Sequence, residues 1–204
     1  MSDDDQPVSE QWPPQGHTVV ALGPRTWPLF AELVEANNGI YGGCWCIGFH
    51  PECGKVPRAA HQEAKRSRVM DDAAHAALVL DANGRCRAWA QYGSPEELAG
   101  IKHRRAYDKE PPPPPDWRLT CVYVEPGQRG KGLARFAIMG TLELIAAAGG
   151  GSVEAISETT DGRAAQGRFL FTATAEVLED LGFSRVRQVG KHAWIMTREV
   201  ASSR

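Results

Sequence analysis

The sequence predicts a mixed α+β domain. Three observations lead there: a hairpin pattern across residues 74–93, a change of hydrophobic period after Pro126 that turns a strand into a helix and back into a strand, and two closing strand-like runs around Gly190. A strand–helix–strand unit is a parallel crossover, whereas hairpins pair antiparallel, so the sheet is expected to be mixed. The 204 residues include 23 Lys and Arg, 25 Asp and Glu, and 42% hydrophobic residues, which suits one domain with its own core.

The elements follow in order. Residues 1–16 combine Asp3, Asp4 and Asp5 with Pro7, Pro13 and Pro14 and hold little that could bury, so a mobile tail is expected. The folded body spans 17–200, and 201–204 form a flexible end. HTVVAL (17–22) reads as a strand, and Thr26 is placed to cap a helix through Leu29, Phe30, Leu33 and Val34, ended by Asn37, Asn38 and Gly39. A polar helix is expected over 58–70. AHAALVL (74–80), the turn DANG (81–84) and CRAWAQYG (86–93) form the hairpin. Pro111–Pro115 must be extended and acts as a stiff spacer. DWRLTCVYVEP (116–126) is strongly β, a helix runs over 133–148 to three glycines, and SVEAISE (152–158) returns as a strand. A short helix at 174–181 precedes strands at 183–189 and 193–200.

Composition excludes several functions. A net charge of −2 supplies no broad basic field, so nucleic acid is not the expected partner. No apolar run is long enough to span a membrane, and the acidic start is unlike an export signal; a cytoplasmic protein with five reduced cysteines is expected.

The chemistry concentrates in VEPGQRGKGLARF (124–136), a strand ending at proline, a glycine-containing basic loop, and a helix start. Gly130 and Gly132 allow close approach, and the first helical turn offers unpaired amides with the positive end of the helix dipole, which suits a diphosphate. A Walker loop requires glycine where Glu125 stands and Ser or Thr where Gly132 stands; a dinucleotide fingerprint requires Gly or Ala at Arg135. Both patterns fail. The remaining pattern, V-x-P-x-x-R-G-x-G-L-A, resembles the acyl-CoA loop of the GNAT superfamily of N-acetyltransferases. The resemblance extends from the Gly-Cys-Trp-Cys element (43–46) to LEDLGFSRV (178–186).

That resemblance implies a strongly bent mixed sheet whose fourth and fifth strands splay, with acetyl-CoA as cosubstrate in the wedge. It implies that the backbone of Val122, Tyr123 and Val124 pairs with the pantetheine arm and that Gly127, Gln128, Arg129, Gly130, Lys131, Gly132, Leu133 and Ala134 hold the diphosphate. In the region where the superfamily's tyrosine would stand, Thr172 or Thr174 is expected at most to donate a hydrogen bond to the carrier. The implied activity is acyl transfer to the amine of a small molecule by direct attack in a ternary complex. The alternative is a non-catalytic acyl-CoA-binding module that regulates or scaffolds a partner. Such a chain could act as a homodimer.

Asp116, near the start of the fourth strand, and Glu154, on the fifth, are the candidate bases, with a water chain as the third option. Many members of the superfamily use a tyrosine after the fifth strand as acid. This chain has no tyrosine beyond Tyr123, which leaves Tyr123 or solvent as the acid. Strict alternation would place Asp116, Arg118, Thr120 and Val122 on one face of the fourth strand, and Trp117, Leu119, Cys121 and Tyr123 on the other. Cys44, Cys46, His50 and Cys53 have donor types suited to zinc but lack the two separated halves of common zinc modules. They are read as a packed segment around Trp45 and Phe49 or as acceptor-site lining, and no metal is assigned. Lys102–Arg105 form one basic run, read as a solvated face or as a contact for the 3′-phosphate or an acidic acceptor.

Overall fold

A computed structural model of the chain describes residues 14–160 and 171–203. Most of the expected tail lies outside these residues, as do positions 161–170 and Arg204. The elements are β1 (Thr18–Ala21), α1 (Trp27–Ala36), α2 (His61–Met70), β2 (His75–Leu80), β3 (Cys86–Gly93), α3 (Arg104–Tyr107), β4 (Trp117–Val124), α4 (Leu133–Ala147), β5 (Gly151–Glu158), α5 (Ala175–Asp180), β6 (Ser184–Gln188) and β7 (Ala193–Val200). The strands form one sheet in the order β1-β2-β3-β4-β5-β7-β6. Only β4 and β5 pair in parallel.

Helices cover both faces at the centre. The apolar stripe of α4 buries Leu133, Ile138, Leu142 and Ile145 against one face, each contributing roughly 1.5–3 kcal/mol. On the other face, α1 buries Phe30 edge-on against Trp89 at 4.9 Å. With both faces covered, β3 is buried almost throughout instead of alternating with solvent. The β2–β3 turn forms as expected: the Asp81 carboxylate accepts the Asn83 and Arg85 amides, and Gly84 adopts φ 75°.

Two local expectations change. Thr26 occupies the N-cap position of α1, but its hydroxyl faces backwards, donating to Ala21 O at 2.8 Å and accepting from Gly23 N–H at 2.8 Å. It clamps the end of β1 instead of capping the helix. In β4, Ala90 pairs with Val122 and Tyr92 with Leu119, so Thr120 and Cys121 together oppose Gln91. This bulge reverses the alternation. Leu119 and Val122 both join the core beneath α4, while Cys121 and Tyr123 pack on the α1 side. The parallel pairing of β4 with β5 ends at Leu119–Ala155, beside the bulge, and the two strands part there.

Candidate functional site

The loop after β4 is tied at its root. Glu125 donates its amide to Arg87 O at 2.9 Å and accepts Arg87 Nη1 at 2.7 Å, and Gln128 N–H closes a turn onto Glu125 O. Gly130 and Gly132 follow with φ 77° and 74°, a region costly for other residues. A Cβ added at Gly130 would meet open space, so the requirement at that position is conformational. Gly132 is the N-cap of α4 and no side chain caps this helix. The first helical bond runs from Phe136 N–H to Gly132 O, so the amides of Leu133, Ala134 and Arg135 precede the helical ladder.

These groups face a cleft of about 480 Å³ between the end of β4 and residues 172–177. Of the sequence-predicted carrier residues, Val122, Tyr123, Val124, Gln128, Arg129, Gly130, Gly132, Leu133, Ala134 and Thr172 line it. Gly127 lies on the single turn Pro126–Gln128 outside the lining, and Lys131 is exposed with Nζ donating to Gln128 Oε1 at 3.0 Å. Val122 N–H donates to Phe171 O at 2.7 Å, so the chain itself uses one backbone donor of the expected carrier track. The donor set suits a diphosphate: bare amides, a helix N-terminus and no carboxylate in the lining.

Thr172 also lines a second, narrower pocket, with room for a water-sized occupant of about 20 Å³, where β4 and β5 part. Glu154 sits in this wall, 2% exposed, accepting from Tyr107 Oη at 2.8 Å and facing Arg118 Nε at 3.3 Å. Arg118 is held in turn by Leu98 O at 2.9 Å. Asp116 is elsewhere. It is exposed at the joined end of β4 and β5, bonded to Ser152 N and Oγ, which hold its carboxyl below the usual range. Six residues of strand place it about 20 Å from Val122. Of the basic run, Lys102 pairs with Glu158, while His103, Arg104 and Arg105 are exposed as expected for a solvated face, Arg104 beside Asp108 at the surface.

The cysteine-rich segment forms a buried polar network. Gln91 bonds Cys46 Sγ at 3.0 Å, Thr120 Oγ1 at 3.1 Å and His50 Nε2 at 2.6 Å; Lys65 Nζ also reaches His50 Nε2, at 2.9 Å. His50 Nδ1 lies 3.0 Å from Glu97 O, consistent with a neutral ring donating through Nδ1. Burial, followed by the Lys65 charge, pushes the His50 pKa down to about 2. Among the described residues, no group of three or more His, Cys, Asp or Glu converges as a metal site. All five cysteines are free.

Sequence reasoning missed Tyr41. It lines the carrier cleft, with its ring edge-on to Phe171 at 5.2 Å and to Tyr123 at 6.3 Å. Ile40, Tyr41, Trp45 and Cys46 all have positive φ, which for bulky residues costs about 1–3 kcal/mol each. Burial of Ile40, Arg58 Nη1 on Gly42 O and His61 Nδ1 beside Gly43 O hold the segment in place. A tyrosine flanked by Gly39 and by Gly42 and Gly43 was the available signal.

No family model matches the chain, and no curated protein matches it in sequence. Solved structures do match. One is described as histone acetyltransferase HPA2 and related acetyltransferase from Corynebacterium glutamicum: it is 18% identical, with TM-score 0.53 over 91% of this chain and 97% of that one. A second, from Desulfovibrio desulfuricans and assigned as a GNAT-family acetyltransferase, is 19% identical, with TM-score 0.51 over 91% and 99%. A third, a GNAT superfamily phosphinothricin acetyltransferase from Sinorhizobium meliloti in complex with AcCoA, is 13% identical, with TM-score 0.51 over 92% and 91%. At these identities the likeness establishes the fold: the chain has the GNAT fold. Among the described residues, no helix is long and apolar enough to cross a membrane.

Proposed function

We propose that the chain is an acetyl-CoA-dependent N-acetyltransferase of the GNAT superfamily, acting on the amine of a small molecule in the cytoplasm. One observation carries the reading. On this fold, a glycine loop and an uncapped helix N-terminus face a cleft that meets, at Thr172, a second pocket walled by a buried carboxylate. Acetyl-CoA, when bound, supplies an acyl group activated as a thioester. The amides from Arg129 to Ala134 bind its diphosphate, the Gln128 amide being taken by Glu125 O, and the end of β4 orients the arm once the Phe171 carbonyl yields the Val122 amide. Glu154 keeps unused acceptor capacity on both oxygens, because a carboxylate offers about four lone-pair sites and the two contacts described occupy two. It is therefore assigned to the amine proton. Tyr107 and Arg118 act as its positioning residues.

A second reading is a non-catalytic acyl-CoA-binding module. It is favoured by the engagement of both Glu154 oxygens and of the Val122 amide within the chain. Thiol release from acetyl-CoA across an amine panel separates the two. An enzyme releases thiol with at least one amine, and Glu154→Gln lowers that rate roughly 100-fold while Asp116→Asn leaves it unchanged. Silence across the panel, together with a raised melting temperature in coenzyme A, supports the binding module.

A further inference from the structure

The reading above lacks a proton source for the departing sulfur, and the helix that follows β5 brings no tyrosine. The segment between α1 and α2 brings one into the lining of the cleft, against Phe171. Every residue from Asn38 to Cys46 except Cys44 has positive φ, and the outermost large side chain of this stretch is Tyr41, 36% exposed. Its ring rests against Phe171, whose carbonyl takes the Val122 amide, and against Tyr123. Tyr41 therefore stands over β4 at the level of Val122 and Tyr123. The diphosphate cradle, Tyr41 and Thr172 line one cleft and Thr172 also lines the second pocket, so a carrier that runs from the cradle to that pocket passes Thr172 with Tyr41 beside it.

The other hydroxyls are less suited. Tyr123 is stacked on Trp89 at 4.6 Å and is 6% exposed, and Tyr107 already donates to Glu154. Resting on the acyl-carrier assignment, we propose that the Tyr41 hydroxyl is the proton donor to the thiolate released in acyl transfer. The amine nitrogen forms its bond to the acyl carbon, the carbon–sulfur bond breaks with its electron pair on sulfur, and Tyr41 Oη gives its proton to that sulfur. The phenolate regains a proton from solvent, and the amine proton leaves through Glu154 or water. Burial, then the neighbouring Cys121 and Tyr123, raise the Tyr41 pKa, so the phenol is protonated at neutral pH but is a weaker acid than a free tyrosine, and the donor role rests on its position.

The test is a binding cycle that needs no acceptor. Coenzyme A and desulfo-coenzyme A are titrated calorimetrically into the wild-type chain and into Tyr41→Phe, which keeps the ring contacts. A hydroxyl that touches sulfur makes the wild type prefer coenzyme A by roughly five- to ten-fold, and Tyr41→Phe removes most of that preference. An active amine from the panel adds a roughly 100-fold fall in kcat for Tyr41→Phe, with the coenzyme A affinity held within about two-fold. If the preference is absent from the wild type or survives in Tyr41→Phe, the donor role is overturned while the carrier site stands. If neither ligand binds the wild type, the carrier site itself falls, and the donor role with it.

Discussion

At the residue scale, backbone conformation matters more than charge in the loop after β4. Gly132 holds φ 74° at the mouth of α4, whereas Lys131 is exposed and bonds only to a neighbouring loop side chain in the contacts described. Gly132→Val should weaken coenzyme A roughly five- to thirty-fold, because a β-branched residue cannot hold that angle without about 1–2 kcal/mol of strain. Lys131→Ala should change affinity by no more than about two-fold. Equal losses in calorimetric titrations of the two variants would refute this ranking. The loop was legible because Pro126, Gly130 and Gly132 impose local constraints that need no tertiary information. Tyr41 was not, because its relation to Tyr123 and Phe171 depends on a left-handed stretch that glycines suggest but do not direct. Glu154 was found from its strand, yet its ties to Tyr107 and Arg118 come from distant parts of the chain.

At the element scale, α4 carries an exception to helix propensity. Gly140 lies in its middle, where alanine would ordinarily stabilise by roughly 1 kcal/mol. Here a Cβ would sit 2.4 Å from Val19 Cγ1 on β1. Gly140→Ala should therefore destabilise by about 1–3 kcal/mol through overpacking, read from urea midpoints, and a stabilised variant would show that β1 yields easily. The bulge in β4 shows where period counting stops. Apart from the one-turn helix α3, which the basic run concealed, the order of elements and nearly all their bounds follow from turn residues and hydrophobic period. The reversal of faces between Leu119 and Val122 follows only from pairing with β3, since nothing within LTCV marks an extra residue. Thr26 is similar: its type suits a cap, and the end of β1 claims its hydroxyl instead.

At the scale of the whole molecule, two histidines give stability a pH dependence of opposite signs. His50 is buried neutral with its pKa down at about 2, so the unfolded chain takes up its proton first. Its contribution is complete above roughly pH 6.5 and falls on acidification by up to about 1.4 kcal/mol per pH unit. The His75 pKa is raised, chiefly by its bond to Glu97 at 2.6 Å, so that contribution is complete at acid pH and is lost as pH rises. The larger displacement of His50 should dominate: urea midpoints should fall from pH 7 to pH 5, and His75→Gln should steepen the fall. A midpoint that rises on acidification would contradict both the burial and the tautomer assigned to His50. The helices on both faces, the single parallel pair and the parting of β4 from β5 converge on the cleft, and the account rests on what that cleft holds. The most direct measurement is calorimetric titration of the full chain with acetyl-CoA and with 4′-phosphopantetheine, which lacks the diphosphate linkage. One acetyl-CoA should bind per chain, at least roughly 30-fold more tightly than the truncated arm; no heat from acetyl-CoA, or equal affinities for the two, would contradict a diphosphate held by the amides of residues 129–134.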